Sequence, residues 1–304
     1  MPLRIHHLNC TTMCPPGRRV MDGRKGVKGP AALVCHCLLV ETDRSLVLVD
    51  TGFGLNDVRE PRPRLSPLFL DVLCRPRLNE EMTAIRQVER LGFKPTDVTD
   101  ILLTHLDFDH AGGLDDFPWA RVHLLDAEYQ GAVAQKTALD RGRFRPGQWM
   151  HETNWVTYPM NRGGGHWYGF ECVRELSGLP PELLFVPLLG HTLGHAGIAL
   201  QVGDGWLLHA GDAYFHHGEL ETARRRCPPG LRFYQTLMQK DARLRHYNQQ
   251  RLRGLAMRHS SEVTIFCAHD PVEFERMEEQ ERVPPESPLR ALVMAPAPEP
   301  TLHV

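Results

Sequence analysis

The chain has 304 residues, 42% of them hydrophobic and 24% charged, with a formal net charge of -2. That length suits one large α/β domain or two small ones, and is enough to bury most of the apolar surface without disulfide staples. The balanced charge argues against sequence-independent binding to nucleic acid, which needs clustered Lys and Arg, and no apolar run approaches the roughly 20 residues that span a bilayer. The opening MPLRIHHLNC holds no apolar core of signal-peptide length, so a cytoplasmic location is expected, with the eight cysteines as free thiols.

In chain order, residues 33–40 (LVCHCLLV) and 45–50 (SLVLVD) read as strands joined by a turn at 42–44. Cys35 and Cys37 alternate in the first and point to one face, for core or pocket packing. Residues 55–80 are rich in Pro and Arg and read as a loop with one short helix at 65–74. Residues 79–92 read as an amphipathic helix with Asn79 as N-cap and Gly92 as stop. Strands follow at 98–104 and 120–125, then a helix at 126–134. Residues 139–182 carry many Gly, Pro, Trp and Tyr with weak periodicity, and read as an inserted functional loop. Strands at 184–189, 198–202 and 206–210 follow, the last two joined by a Gly203-Asp204-Gly205 hairpin turn. Residues 231–258 read as one helix and 263–267 as the last strand. One domain is expected over 1–281, with a mobile Pro/Ala-rich tail at 282–304.

One feature recurs along this pattern: apolar strands end at or near Asp50, His105, His191, Asp212 and His269. Strand ends on one rim of a sheet bring imidazoles and carboxylates together, and both are good ligands for zinc, iron or manganese. The densest piece is THLDFDHAGG, residues 104–113. His105, Asp107 and Asp109 alternate on a common side, while His110 faces elsewhere. Four potential ligands in six residues crowd one tetrahedral ion, so a two-metal site is expected. Gly112 and Gly113 are expected to let backbone approach the ions closely.

HLDFDH resembles the HxHxDH signature of the metallo-β-lactamase superfamily. The strand-DTG at Asp50, GHTLGH at 190–195, AGD at Asp212 and AHD at His269 follow in the superfamily's order and extend the resemblance over roughly residues 30–275. It implies an αββα sandwich of two mixed β-sheets flanked by helices, with metal at the rim, nearest the lactonase and glyoxalase II-like branches. By position, His105, Asp107 and His191 would hold one ion, Asp109, His110 and His269 the other, and Asp212 would bridge them. Asp50 would either orient a ligand histidine or cap a strand turn. His195, four residues after His191, would be structural or would orient a ligand. Two residues depart from the pattern. Asp107 stands where the family has a second histidine, and its charge moves the expected pair of divalent ions, zinc by default, toward iron or manganese. Phe215 stands where quorum-quenching lactonases have a tyrosine, with Tyr214 one residue earlier as the catalytic candidate.

The resemblance implies hydrolysis of an ester, lactone, thioester or amide of a small substrate by hydroxide held between two metals, with Asp109 or Asp212 moving a proton to the leaving group. The pocket walls are expected from 139–182 (Trp149, Trp155, Trp167, Tyr158, Tyr168, Phe170) and from 214–217, which suits an acyl-bearing substrate. A diiron redox enzyme and a non-catalytic metal-binding sensor are the alternatives. An acid at position 107 resembles the flavodiiron proteins, whose added flavin domain this chain has no room for.

Overall fold

Val34 to Val40 are buried on every residue, the mark of a strand covered on both faces. In a computed structural model of the chain, which describes residues 3–24, 29–150, 153–160, 164–220 and 224–282, that strand lies second in a six-stranded sheet. The sheet runs in chain order through β1 (Arg4–Met13), β2 (Leu33–Glu41), β3 (Leu46–Val49), β4 (Val98–Leu102), β5 (Arg121–Leu125) and β6 (Asn154–Tyr158). β1 to β3 pair antiparallel, and β3 to β6 pair parallel. The second sheet has the order β12-β11-β10-β9-β8-β7, built from β7 (Gly165–Trp167), β8 (Phe170–Glu175), β9 (Leu183–Pro187), β10 (Ala196–Val202), β11 (Gly205–His209) and β12 (Val263–Phe266). Its pairs are antiparallel except β11 with β12.

The two sheets face each other across a core in which Leu38, Val40, Val47, Val49 and Leu102 meet Phe185, Ile198, Leu200 and Phe266. On the outer face of the first sheet, Leu39, Leu48, Ile101 and Val122 pack against Ala84 and Val88 of the helix Ala84–Arg90 and Ala132 of the helix Asp126–Ala134. On the outer face of the second, Ala199, Leu208 and Ile265 pack against Leu252 and Leu255 of the helix Ala242–Arg258. Helix, sheet, sheet, helix is the layered αββα sandwich expected from the sequence.

This topology sets one functional edge. β3 and β4 run parallel, so Asp50 and the segment after β4 emerge together. β9 and β11 both oppose β10, and β12 runs with β11, so the segments after β9, β11 and β12 also leave by a single edge. Backbone bonds sew the two edges together: His36 N–H donates to Ala268 O at 2.9 Å, and Ala196 N–H to Thr104 O at 2.9 Å.

Three local expectations change. The 139–182 segment is not an irregular loop, because it supplies β6, the β7–β8 hairpin and the helix Ala138–Arg143. The hairpin turns at Tyr168 and Gly169, both at positive φ (45° and 82°), with Trp167 paired to Phe170. A two-residue turn of that hand matches the twist of its strands, and its aromatic flanks disguise it in the sequence. The helix expected over 231–258 is two helices, Pro229–Met238 and Ala242–Arg258. The break is fixed by Asp241, whose side chain accepts from Leu244 N–H, and by Lys240 and Asp241 N–H groups donating to Gly190 O. The helix Pro271–Arg282 was not anticipated. The expected tail, beyond Arg282, lies outside the described residues. All eight cysteines are free, and no helix among the described residues is long and apolar enough to cross a membrane.

Candidate metal centre

The strand-DTG turn is the clamp on which the centre is built. Asp50 sits at φ 54° and turns its carboxylate back under the 104–110 segment. Its Oδ1 accepts from Thr104 N–H at 2.8 Å, and its Oδ2 accepts from the Thr104 hydroxyl at 2.8 Å and lies 2.7 Å from His110 Nδ1. Thr51 donates to His110 O through both its N–H and its hydroxyl, each at 2.8 Å. Gly113 N–H returns a bond to Thr51 Oγ1 at 3.0 Å. Gly112 and Gly113 therefore pack on the backbone of residues 51–54, not toward the cage: a Cβ on Gly112 would lie 2.6 Å from Gly52 O. Glu128 adds a second clamp, accepting from Leu106 N–H and Gly194 N–H and so tying the 105 and 191 segments together.

His105, Asp107, Asp109, His110, His191, Asp212 and His269 converge at this edge, all at most 6% exposed. Six of them form two groups that share Asp212, and Asp109 is grouped with His269 and the Cys35 thiol beside the second. In the first, His105 Nε2 is 3.3 Å from Asp107 Oδ2 and 3.7 Å from Asp212 Oδ2, and His191 Nε2 is 3.1 and 3.3 Å from the same two oxygens. In the second, Asp212 Oδ1 is 3.4 Å from His110 Nε2 and 3.1 Å from His269 Nε2, with Asp109 Oδ2 3.6 Å from His269 Nε2. Ligands held about 2.0–2.2 Å from a tetrahedral ion lie roughly 3.3–3.6 Å from one another, so both groups have the dimensions of a cation cage.

Protonation points the same way. His269 Nδ1 lies 2.7 Å from Val34 O, His110 Nδ1 faces Asp50, and His105 Nδ1 lies 2.9 Å from the Thr104 hydroxyl, which donates to Asp50. Each Nδ1 is thus placed to keep its proton, so that the Nε2 facing inward is the nitrogen left to a metal or, without one, to a second proton. His105 Nε2 and Asp212 Oδ1 are buried acceptors with no hydrogen-bond partner. Lone pairs aimed at one another in a dry cluster call for a cation. Burial opposes charge on His110, but Asp212, Asp50 and Asp109 outweigh it and lift its pKa well above the usual histidine value. Burial likewise opposes charge on His269, and Asp212 and Asp109 lift it. His105 goes the other way, pulled down to about 4 by burial and by His110. Protons and metal compete for these nitrogens, so metal affinity falls as pH falls.

His195 stays behind the cage. Its Nδ1 bonds Leu188 O at 3.0 Å and its Nε2 accepts from Asp212 N–H at 2.8 Å, which fixes the turn presenting Asp212. Tyr214 does not join the cage: it is fully buried in the outer core of the second sheet, and its hydroxyl donates to Glu273. Alternation past the Asp212 turn sends Tyr214 outward and Phe215 inward. The Phe215 ring stacks on His269, centroids 5.0 Å apart at 29°.

The expected aromatic walls also differ. Trp149, Tyr158, Trp167 and Phe170 are buried in the three main cores, with Trp155 and Tyr168 packed against them. The apolar cluster beside the cage is instead Phe53, Leu65, Phe69, Phe108, Phe215, Leu231 and Met238. Two more polar residues stand at the cage, of which the sequence reading missed Arg143. Cys35 Sγ lies within ligating reach of Asp109 and His269, the pocket role left open for it. Arg143, 0% exposed, ends the helix Ala138–Arg143 and grips Asp107 with Nε and Nη2. The signal for it was the surplus carboxylate at 107, which requires a buried cation, beside the arginine-rich 141–145.

Comparison with known proteins agrees with this geometry. The family model of the metallo-β-lactamase superfamily matches residues 31–269. A probable metallo-hydrolase of Mycobacterium tuberculosis is 42% identical over 270 residues, covering 89% of this chain and 81% of that protein. An N-acyl homoserine lactonase of Bacillus cereus is 34% identical over 131 residues, 41% of this chain and 52% of that one. In structure, the chain is similar to an N-acyl homoserine lactone hydrolase with the product N-hexanoyl-L-homoserine at its catalytic metal centre, with TM-score 0.65, 20% identity, and 90% and 96% of the two chains covered. With the sandwich, the rim of His and Asp side chains and a family match spanning both sheets, the chain belongs to the metallo-β-lactamase superfamily.

Proposed function

We propose that the chain is a metal-dependent hydrolase that opens an ester, lactone, thioester or amide bond in a small acyl-bearing substrate. The observation that carries the reading is the pair of cages sharing Asp212, whose Oδ2 faces one and Oδ1 the other. Divalent ions held there, zinc by default and iron or manganese as alternatives, would lower the pKa of water from about 15.7 to about 7 and would polarise a carbonyl. The chain's residues do the rest. Asp50, Thr104 and Val34 hold the histidine Nδ1 protons, so each Nε2 stays a ligand. Asp109 is the proton carrier of this reading, because it stands at the edge of the second cage, 3.6 Å from His269 Nε2, whereas both oxygens of Asp212 are committed to the two cages. The Phe53, Phe69, Phe108 and Phe215 cluster supplies an apolar wall for an acyl chain. The lactonase relatives make lactones the first substrates to try.

The test is a panel of acyl lactones, esters and thioesters offered to the full-length chain before chelation, after chelation, and after zinc, manganese or iron is returned. Hydrolysis that disappears with the metal and returns with it is expected. Fully metallated protein inert across the panel overturns the proposal, and oxygen or peroxide consumption by the iron form under those conditions moves the assignment to redox chemistry.

A further inference from the structure

Among the described residues, a fixed positive charge stands against the first cage and none against the second. Arg143 has no exposed surface. Its Nε donates to Asp107 Oδ1 at 2.6 Å and its Nη2 to Asp107 Oδ2 at 2.5 Å, a two-point pairing that engages both carboxylate oxygens. Nη2 also lies 2.8 Å from His191 Nε2, and Nη1 donates to Met238 O. The guanidinium is held there by the chain around it. Phe144, the next residue, forms a backbone bridge with Asp107. Thr137 caps the start of the short helix, accepting from Asp140 N–H.

Two of the four ligand atoms of the first cage, Asp107 Oδ2 and His191 Nε2, thus already face a cation. In the second cage, Asp109 Oδ2, His110 Nε2, His269 Nε2 and Asp212 Oδ1 face only one another, with the Cys35 thiol nearby. Among the described residues, Asp107 is the carboxylate within ion-pair distance of Arg143. Arg143 cannot shed its charge, because guanidinium stays protonated in proteins.

We propose that Arg143 is a built-in counter-cation of the first cage. It neutralises Asp107 and makes the centre bind its two ions unequally, tightly in the second cage and weakly, exchangeably, in the first. The proposal rests on the reading of the cages as divalent-metal sites. A like charge at contact distance in a buried cluster weakens cation binding by on the order of 100-fold or more.

The experiment is zinc titration of the metal-stripped full-length chain against a chelator of known affinity, followed by desalting and elemental analysis. Wild type is expected to keep about one equivalent and to lose the second on desalting. Arg143→Met is expected to keep about two, its second constant tightened by about 100-fold, and Arg143→Lys, which retains the charge, to keep about one. Arg143→Gln, which loses the charge but keeps an amide donor for Asp107, covers the case in which an unpaired Asp107 prevents folding; it too is expected to keep about two. Wild type retaining two equivalents of similar affinity overturns the proposal, as does Arg143→Met or Arg143→Gln retaining no more than wild type. A chain that retains no zinc in any form overturns instead the metal reading beneath it.

Discussion

Asp212→Asn is expected to lower metal-dependent hydrolysis by about 10²- to 10³-fold, the scale seen when one principal electrostatic group is removed from an active site, and to lower retained metal with it. Asp212 is the one side chain both cages share, and four imidazoles lie within 3.7 Å of its oxygens. Asparagine keeps the size, but loses the charge and turns a donor NH2 toward lone pairs that need a cation. The backbone at this position is held independently, by Asp212 N–H donating to His195 Nε2, so the variant is expected to fold. Elemental analysis and turnover on the same sample check the outcome: retained metal with unchanged turnover would place the shared ligand elsewhere.

Gly112→Ala is expected to be strongly destabilising although it adds a single methyl group. The glycine has ordinary helical angles (φ -61°, ψ -31°), so alanine meets no backbone penalty. The obstacle is space. The new Cβ would lie 2.3 Å from Asp57 Oδ2, 2.6 Å from Gly52 O and 2.8 Å from Phe108 O. Two of these are backbone atoms. The carboxylate is fully buried and bonded to Gly54 N–H, Arg64 and Gln148, so it does not yield cheaply either. Overpacking of this kind costs about 3 kcal/mol or more, a large share of a net stability of roughly 5–15 kcal/mol. Relief requires the 105–112 segment to move, so metal retention should fall together with Tm. Gly147→Ala is the control, since its Cβ would meet nothing within 4 Å. A Tm for Gly112→Ala within about 1 °C of the control would show that the DTG turn and the metal-binding loop are not packed as described.

Much of the centre was legible because strands end abruptly at His or Asp. Asp50, His105, His191, Asp212 and His269 all stand at or just past the end of an apolar run, and parallel topology carries them to one edge. What failed to show was contact between segments distant in sequence. Arg143 is one arginine of three within 141–145, and nothing local distinguishes the one that turns inward to Asp107 from 36 residues away. Tyr214 was drawn toward the cage because a phenol is chemically useful there, yet the register of the turn buries it against Glu273. Glu273 itself, pushed up to about 7 mainly by burial, is a buried acid that belongs to this outer core. The aromatic 139–182 segment misled for a related reason. Trp and Tyr cover apolar surface as readily in a sheet as in a pocket wall, and the Tyr168-Gly169 turn lacks the usual Asn or Asp.

Element-specific anomalous diffraction from crystals of the full-length chain, purified without chelator, tests the central claim most directly. The account predicts a strong peak enclosed by His110 Nε2, His269 Nε2, Asp109 and Asp212, and a weaker one about 3.5–4 Å away among His105, Asp107 and His191. Protein that hydrolyses its substrate while showing no anomalous peak among these side chains would contradict it.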